Sequence, residues 1–294
     1  MSDNISDRRG ERMNMAGGGM GLLRLLAILP GGIKTKLVGL AVVAAVVLAT
    51  QGTSGLSGLL GVSSSPQTEQ TQYQGTPEEQ ELYKFSAQIL AGTEDVWTEL
   101  FKRMGRRYIP PKMVIYKDAV QSGCGNATSS TGPFYCSADQ TVYIDLSFFM
   151  NMKRQIGADG DFAYAYVIAH EVGHHVQYLL GTLDAAHSQM ARVSQKEANQ
   201  ISVRLELQAD YFAGMWANCD NKMFSSLEDG DIEEGVNAAS KIGDDYLQKK
   251  SQGYAVPDSF NHGTSAQRIK WLKRGVQLGS FSGADTFSPA YADL

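Results

Sequence analysis

Residues 167–177 read VIAHEVGHHVQ and contain three of the five histidines of the chain. Two of them, His170 and His174, frame an H-E-x-x-H pattern with Glu171. If this stretch is a helix, the two histidines lie on one face, about 6 Å apart along the axis, where both can bind one Zn²⁺ ion. Glu171 then points away from the metal-binding nitrogens and can act as the general base on a water molecule.

The surrounding residues favour a buried helix at 161–180, because apolar side chains recur there at helical spacing and form one ridge: Ile168, Val172, Val176 and Leu180. Gly173 lies between the two histidines, where glycine costs up to about 1 kcal/mol of helix stability relative to alanine. This glycine indicates that another element packs closely on the same turn. A buried helix that carries His, Glu and His needs partners for these polar groups, and a metal ion would supply them.

The H-E-x-x-H pattern supplies two ligands, whereas a catalytic zinc site takes three protein ligands and keeps one position open. His175 is rotated by about 100° from His174 around the helix, so we expect it to face solvent or a neighbouring loop. His187 is a candidate third ligand, although TLDAAHSQ (182–189) is typical of a loop between helices. The metzincin pattern, which places a third histidine on the same motif, is absent because Leu180 occupies that position.

A better third ligand lies in the segment VRLELQADYFAG (203–214), where Glu206 and Asp210 are one helical turn apart. The apolar neighbours of the pair predict a buried helix, on which two acids need partners. Glu206 as the third zinc ligand and Asp210 as the acceptor of a hydrogen bond from a ligand histidine would satisfy both acids. The alternative is an acidic face exposed to solvent.

Length, composition and charge limit the classes of protein to which the chain can belong. The chain has 294 residues, of which 43% are apolar and 19% charged, and this is enough for one sizeable core. Its net charge of −5 is unevenly spread, because residues 1–36 hold six basic and three acidic residues whereas the rest holds 20 basic and 28 acidic. A mildly acidic main part argues against nucleic acid as a partner.

An uncharged apolar run, LVGLAVVAAVVLAT, occupies residues 37–50. It is shorter than the roughly 20 residues needed to cross a bilayer, but no charge follows until Glu69, so a span can extend further. Basic residues before the run predict a single-pass membrane protein with a cytoplasmic N-terminus and an exported main domain. The alternatives are a cleaved signal peptide and a buried helix of a soluble protein. We expect four segments: a basic cytoplasmic segment at 1–36, a transmembrane signal-anchor at 37–58, a flexible linker at 59–76 and the main domain at 77–294.

The main domain is predicted to be α+β, with a small β-sheet followed by a mainly helical block. One or two helices are expected near its start, and two segments with β-branched and aromatic composition, KMVIYKD (112–118) and QTVYIDLSFF (140–149), are expected to be strands. The second is a candidate edge strand along which a peptide substrate could lie, and the alternative is an internal strand. Further helices are expected at 161–180, 188–218, 231–249 and 264–277.

The three cysteines are Cys124, Cys136 and Cys219. The first two flank the turn-rich segment GNATSSTGPFY, and an exported chain could join them in a disulfide across this short loop. The alternative is two free thiols. A zinc site made of cysteines is not expected, because the chain has no C-x-x-C pair.

Several longer motifs resemble one family. HEVGHH and RLELQADYFAG, with SGCG, GPFYC and DQTVYIDLSFF before them, are similar to the bacterial predicted neutral zinc metallopeptidases over residues 70–278. The E-x-x-x-D spacing after H-E-x-x-H also resembles more distant gluzincins such as the CAAX prenyl proteases. The resemblance implies a zincin-like metallopeptidase domain with one Zn²⁺ ion per chain and with a defined set of site residues: His170, His174 and Glu206 as ligands, Glu171 as the base and Asp210 behind the ligands.

HGTSAQRI (262–269) resembles a downstream His-Pro-x-x-x-x-Arg-Ile element of those relatives, with Gly263 in place of proline. The resemblance implies that His262 approaches the active site and stabilises the oxyanion of the tetrahedral intermediate. It also implies that Arg268 pairs with a buried acid such as Asp210. The alternative for His262 is a residue that only precedes the next helix.

With this resemblance, the sequence predicts a membrane-anchored, zinc-dependent endopeptidase whose substrates are proteins or peptides. Zn²⁺ would activate a water molecule, and Glu171 would take its proton as the water attacks a peptide carbonyl. One alternative is a membrane-tethered zinc scaffold or chaperone-like module. Glu171 speaks against it, because a structural zinc site does not need that carboxylate. A second alternative is an anchored interaction protein without metal.

Overall fold

Secondary structure follows the periodicities of the sequence, with short β-branched segments as strands and longer amphipathic segments as helices. The computed structural model describes residues 1–11 and 73–294. The strands in these ranges are β1 (Ile5–Asp7), β2 (Lys112–Tyr116), β3 (Ala119–Ser122), β4 (Gly125–Thr128), β5 (Phe134–Cys136) and β6 (Thr141–Asp145). The α-helices are α1 (Pro77–Arg103), α2 (Leu146–Ile156), α3 (Asp161–Leu180), α4 (Thr182–Met190), α5 (Gln195–Phe224), α6 (Asp231–Lys241), α7 (Asp244–Gln252) and α8 (Ser265–Leu278). The predicted α+β class, with a small sheet and a mainly helical block, is confirmed.

The strands form a main sheet and a separate hairpin. The main sheet has the order β1-β2-β6-β5. β1, β2 and β6 are parallel, and β5 runs antiparallel to β6, with Tyr135 opposite Val142. β3 and β4 pair with each other as the antiparallel hairpin.

The prediction that QTVYIDLSFF is an edge strand is wrong. β6 lies between β2 and β5 and is buried along its whole length, as an internal strand covered on both faces requires. The strand ends at Asp145, whose carboxylate accepts a hydrogen bond from the Ser147 backbone N–H at 2.8 Å and so caps the beginning of α2. The edge of the sheet on this side is β5.

Three helices begin at a capping box, in which two side chains three residues apart each accept a hydrogen bond from the other's backbone N–H. These pairs precede α1, α5 and α8: Thr76 with Glu79, Ser194 with Glu197, and Thr264 with Gln267. The box at Ser194 explains why α5 begins at residue 195 rather than at the predicted residue 188. The residues before it form α4, so the prediction of a loop at 182–189 is wrong.

One large apolar cluster joins the sheet to the helices. Its fully buried members include Trp97 of α1, Ile115 of β2, Ile144 of β6, Val172 of α3 and Phe212 of α5. Burying a side chain of this size stabilises the fold by about 1.5–3 kcal/mol. The H-E-x-x-H helix α3 is therefore held by packing against both the sheet and α5.

Close backbone approaches fix α3, α5 and α8 relative to one another. A Cβ added at Gly173 would lie 3.0 Å from the carbonyl oxygen of Ala209 in α5, so the close packing that Gly173 predicts is confirmed. A Cβ added at Gly275 of α8 would lie 2.1 Å from the carbonyl oxygen of Tyr211 in α5. Side chains at these helix crossings are consequently held at fixed distances.

The predicted disulfide between Cys124 and Cys136 is confirmed, with their Cα atoms 5.8 Å apart. It ties the turn of the β3–β4 hairpin to the edge strand β5. Cys219 is a free thiol and is half-buried.

The first eleven residues belong to the same compact unit as residues 74–294, which the sequence does not predict. β1 extends the sheet beside β2. The buried guanidinium of Arg9 forms an ion pair with Asp7 at 2.6 Å and donates a hydrogen bond to the carbonyl oxygen of Glu79 in α1 at 2.9 Å. The N-terminal strand therefore contributes to the fold of the main domain.

Other parts of the predicted organisation lie outside the described residues. These are the signal-anchor at 37–58 and most of the segments at 1–36 and 59–76. Where the chain is described, no helix combines the length and the apolar character needed to cross a membrane.

Arg9→Gln is expected to lower the free energy of unfolding of the full chain by about 2 kcal/mol, because it removes charge-assisted hydrogen bonds made by a buried guanidinium. Arg8→Gln is the matched control, since Arg8 pairs with Glu11 on the surface and such pairs contribute less than about 1 kcal/mol. The measurement is urea denaturation followed by circular dichroism. Equal effects of the two substitutions would contradict a structural role for Arg9.

Candidate metal centre

Side chains from two helices meet in one small cluster. α3 provides His170 and His174 from successive turns of one face, and α5 provides Glu206. Nε2 of His170 lies 3.2 Å from Oε2 of Glu206, and Nε2 of His174 lies 3.4 Å from Oε1. One ligand atom from each residue lies within 4.8 Å of the other two. The structure thus brings together the three residues that the sequence singles out as metal ligands.

These spacings fit a tetrahedral zinc ion. Zinc–nitrogen and zinc–oxygen bonds of about 2.0–2.1 Å at tetrahedral angles separate neighbouring ligand atoms by about 3.3 Å. The two nitrogen–oxygen distances, 3.2 Å to Oε2 and 3.4 Å to Oε1 of Glu206, are both close to this value, so each histidine lies at ligand spacing from one carboxylate oxygen. Imidazole and carboxylate ligands also suit Zn²⁺, and three protein ligands leave a fourth position open, as in a catalytic site.

Buried charges around the cluster also favour a divalent cation. Glu171 and Asp210 are 8% and 0% exposed, and the Glu206 side chain is 16% exposed. The buried cation beside them is Arg268, which is 3% exposed. With the histidines neutral, as metal ligation requires, two negative charges remain. A divalent ion would compensate them, whereas uncompensated buried charge is costly.

A buried polar network holds His170 in place. Its Nδ1–H donates to Oδ1 of Asp210 at 2.8 Å, which leaves Nε2 directed at Glu206. Arg268 donates two hydrogen bonds to the same carboxylate, from Nε and Nη2, each at 2.9 Å. The Tyr166 hydroxyl donates a further bond to Asp210 at 2.6 Å. A carboxylate behind a histidine ligand fixes the ring orientation and the tautomer.

Electrostatics set the charge states in this network. Burial alone would raise the pKa of Asp210, but Arg268 and His170 outweigh it and hold that pKa below its usual value. Burial alone would lower the pKa of His170, but the negative charge of Asp210 and the hydrogen bonds to Asp210 and Glu206 raise it to about 10. The negative field that favours a proton on this imidazole also favours a metal cation at Nε2.

His174 is oriented by an amide rather than by a carboxylate. Its Nδ1–H donates to Oε1 of Gln177 at 2.9 Å. The Gln177 amide group is itself fixed, because its Nε2 donates to the carbonyl oxygen of Leu205 at 2.7 Å and to Oε1 of Gln208 at 3.2 Å. Sequence reasoning missed Gln177. The signal that could have found it is its i+3 spacing from His174 on the same buried helix.

His175 of α3 and His187 of α4 do not join the cluster. His175 is fully buried and does not face solvent, but it faces the loop before β2, which is the other arrangement that the sequence predicts. Its Nε2–H donates to the carbonyl oxygen of Ile109 at 2.7 Å, and its Nδ1 accepts from the Tyr135 hydroxyl at 2.9 Å. Burial lowers the pKa of His175 to about 4, so the ring is neutral at physiological pH. His187 lines the adjacent cleft but is not one of the three residues whose ligand atoms converge.

The cluster opens into a cleft of about 560 Å³. Glu171 lines this cleft together with both ligand histidines. The carboxylates and the guanidinium that line it, those of Glu171, Glu206 and Arg268, all lie at the metal cluster. Most of the remaining wall is apolar and includes Phe134, Phe148, Val167, Leu183, Met190 and Leu205.

His262 lines the same cleft and is held there by Asp244, the first residue of α7. Its Nδ1–H donates to Oδ1 of Asp244 at 3.1 Å. The other oxygen of Asp244 accepts the backbone N–H groups of residues 261–263 at 2.7–3.0 Å. The hydrogen bond to Asp244 outweighs burial and raises the pKa of His262. Sequence reasoning missed Asp244, because no motif connects it to His262.

Comparison with known proteins identifies the family. A family model described as "Putative neutral zinc metallopeptidase" matches residues 1–287. The chain belongs to this zinc metallopeptidase family. The match confirms the resemblance that the motifs indicate, and it includes β1 as well as the metal cluster.

Two relatives show how far the similarity of this chain to known proteins extends. The chain is 47% identical over 286 residues to YpfJ of Escherichia coli (strain K12), a match that covers 97% of this chain and 96% of that protein. It is 41% identical over 193 residues to Mb2605 of Mycobacterium bovis, covering 62% of this chain and 64% of that protein. Both are described as uncharacterized proteins. No solved structure matches the chain.

Gln177→Ala is expected to weaken zinc binding about 10- to 100-fold, because His174 loses the group that orients its ring. Gln189→Ala, at an exposed position of α4, is the control and is expected to leave the affinity unchanged. The measurement is competition with a chromophoric chelator on a full chain that binds one zinc ion. Thermal melts of the zinc-saturated proteins check folding. Unchanged affinity in folded Gln177→Ala would show that the amide does not position His174.

Proposed function

We propose that this member of the zinc metallopeptidase family is an active zinc-dependent endopeptidase with a zincin-like catalytic domain. The observation that carries the proposal is the position of Glu171, a carboxylate only 8% exposed that lines the cleft beside His170 and His174. A structural zinc site has no need of this group. A hydrolytic site needs a base within reach of the water molecule that occupies the open ligand position.

The proposed reaction is attack of water on a peptide carbonyl. Zinc at the cluster would polarise that carbonyl and acidify the attacking water. Glu171 takes the proton released by the water and then delivers it to the departing amine. Asp210 and Arg268 keep His170 fixed throughout, so the ligand side chains do not have to reorganise as charge develops.

His262 is the proposed oxyanion-stabilising group. Asp244 accepts the Nδ1–H of His262, so Nε2 carries a proton only when the ring is an imidazolium. The raised pKa of His262 favours this charged form near neutral pH. A charged N–H donor in the cleft would stabilise the negative oxygen that forms when water adds to the peptide carbonyl.

The cleft favours an extended peptide with apolar side chains. Apart from His262, its charged groups belong to the metal cluster, and side chains such as Phe134, Leu183 and Leu205 form the walls. β5 is the edge strand beside the cleft, since Phe134 and Tyr135 of this strand both line it. A substrate backbone could pair with the outer edge of β5, so unfolded protein segments are the proposed substrates.

We further propose that the active site works outside the cytoplasm, as the sequence predicts. The Cys124–Cys136 disulfide supports this, because such bonds persist in oxidising compartments and are rare in the cytosol. Attachment of the protein to a membrane through residues 37–58 is also part of the proposal, whatever the number of crossings.

Glu171→Gln is expected to reduce cleavage of unfolded casein by about 10²- to 10⁴-fold, because the substituted amide cannot accept the proton of the water. Zinc content is expected to stay at one ion per chain, since Glu171 is not a ligand. The measurement is the initial rate of peptide release by the zinc-loaded full chain, with a chelator control.

The outcomes of this experiment separate the candidate functions. Undiminished cleavage by Glu171→Gln would contradict the assignment of the base. A wild-type chain that binds one zinc ion and cleaves no unfolded protein would instead support the structural zinc scaffold. A chain that binds no zinc at all would contradict the metal centre itself.

Asp244→Asn is expected to move the alkaline limb of the kcat–pH profile to lower pH. In the wild type, the raised pKa keeps His262 charged above its usual value of 6.5, and activity is lost as the pH rises through the raised value. Replacing the carboxylate by an amide removes the main cause of the shift but keeps an acceptor for the backbone N–H groups. Asp229→Asn, at an exposed position, controls for the change in net charge. Superimposable alkaline limbs for Asp244→Asn and wild type would rule out an imidazolium role for His262.

A further inference from the structure

We propose that the N-terminal strand β1 lies on the same side of the membrane as the active site. The basic residues before the apolar run at 37–50 predict the opposite arrangement, with a cytoplasmic N-terminus and an exported main domain. The proposal concerns topology alone, and it holds whether or not the protein cleaves peptide bonds.

Main-chain hydrogen bonds join β1 to β2 at both ends of the strand. The Met113 N–H donates to the carbonyl oxygen of Asn4, and the Arg8 N–H donates to the carbonyl oxygen of Ile115, each at 2.8 Å. The parallel register between these two bonds is regular. β1 is therefore an integral strand of the main sheet.

Contacts with α1 hold the residues that precede β1. The backbone N–H of Ser2 donates to the carbonyl oxygen of Ala87 at 3.2 Å. The Ser2 hydroxyl and the Asn4 side-chain amide both donate to the Glu94 carboxylate, at 2.7 and 2.8 Å. Ser2 is buried by these contacts. The N-terminal end of the chain is thus fixed to both the sheet and a helix of the main domain.

The same packing involves two of the six basic residues that precede the apolar run, and the other four lie outside the described residues. The Arg9 side chain is 1% exposed, pairs with Asp7 and lies over the Tyr83 ring at 4.9 Å. Arg8 pairs with Glu11 at 2.6 Å. The positive-inside rule concerns charges in the segments that flank a span. The buried and neutralised guanidinium of Arg9, in the turn that follows β1, is not such a charge.

A bilayer cannot separate two paired strands. Its hydrocarbon core is about 30 Å thick, whereas neighbouring strands lie about 4.8 Å apart. The chain between β1 and α1 must therefore leave and return on one side of any membrane that it meets. A single crossing by the apolar run at 37–50 does not meet this condition. Contact with one membrane surface meets this condition, and so does an even number of crossings.

Cysteine accessibility in intact cells tests the proposal on the full-length chain. Asp3→Cys and Asp229→Cys place single thiols at exposed positions, the first beside β1 and the second in the loop before α6. Each is made in a Cys219→Ala background, and Cys124 and Cys136 are protected by their disulfide. A membrane-impermeant maleimide is added before or after the cytoplasmic membrane is permeabilised.

The expected result is equal labelling of the two thiols in intact cells. Labelling of both only after permeabilisation would also support a shared side, but it would contradict the proposed export of the active site. Labelling of one thiol before permeabilisation and of the other only afterwards would overturn the proposal.

A crosslink tests the strand pairing in membranes directly. Ser6 lies opposite Val114 in the β1–β2 register, so Ser6→Cys with Val114→Cys is expected to form a disulfide under mild oxidation. Ile5→Cys with Val114→Cys is the matched control, because neighbouring residues of a strand point to opposite faces. Equal crosslinking of the two pairs, or none in the first, would show that β1 is not docked as described.

Discussion

The paired hydrogen bonds from Arg268 to Asp210 are the interaction on which the candidate metal centre depends. They join α8 to α5 through two fully buried charges, and Asp210 then positions His170 on α3. Removing one charge of such a pair leaves the other without compensation, which costs about 3–5 kcal/mol. The three helices are therefore coupled through one carboxylate. Because Arg268 neutralises Asp210 behind the ligands, the negative charge of Glu206 and Glu171 is left to act at the cleft.

The two candidate ligand histidines are supported in different ways. His170 is backed by a carboxylate, whereas His174 is backed by the Gln177 amide, which orients the ring without adding charge. A carboxylate behind a histidine makes it a more basic ligand, and this reduces the electron demand of the metal. One carboxylate and one amide orient both rings rigidly. Because the amide adds no charge, the net charge of the buried side chains around the cluster stays near −2. That balance suits a divalent ion, and it fits the hydrolytic role proposed for the cluster.

The site residues that could be predicted from the sequence are those that recur at helical spacing within one helix. His170, His174, Glu206 and Asp210 follow from four-residue spacing on two helices, because that spacing places side chains on one face wherever the helix packs. Asp244 and Gln177 were missed, since their roles depend on contacts with a distant loop and with a neighbouring helix. β1 was missed because its partner strand is more than a hundred residues away and three residues carry too little pattern. The edge-strand error has a different cause: the uninterrupted burial of β6 indicates an internal strand, and composition alone does not show it.

A buried histidine outside the metal cluster connects the proposed substrate edge to the candidate metal centre. The Tyr135 hydroxyl on β5 donates to His175, which follows the ligand His174 directly in α3. Burial keeps His175 neutral, so its Nδ1 can accept this bond while its Nε2–H remains bound to the Ile109 carbonyl. The disulfide at Cys136 restrains the same strand from its other end. A peptide paired with β5 would therefore lie at a fixed distance from the zinc ligands, and alignment of the scissile carbonyl would come from the scaffold rather than from a movement on binding.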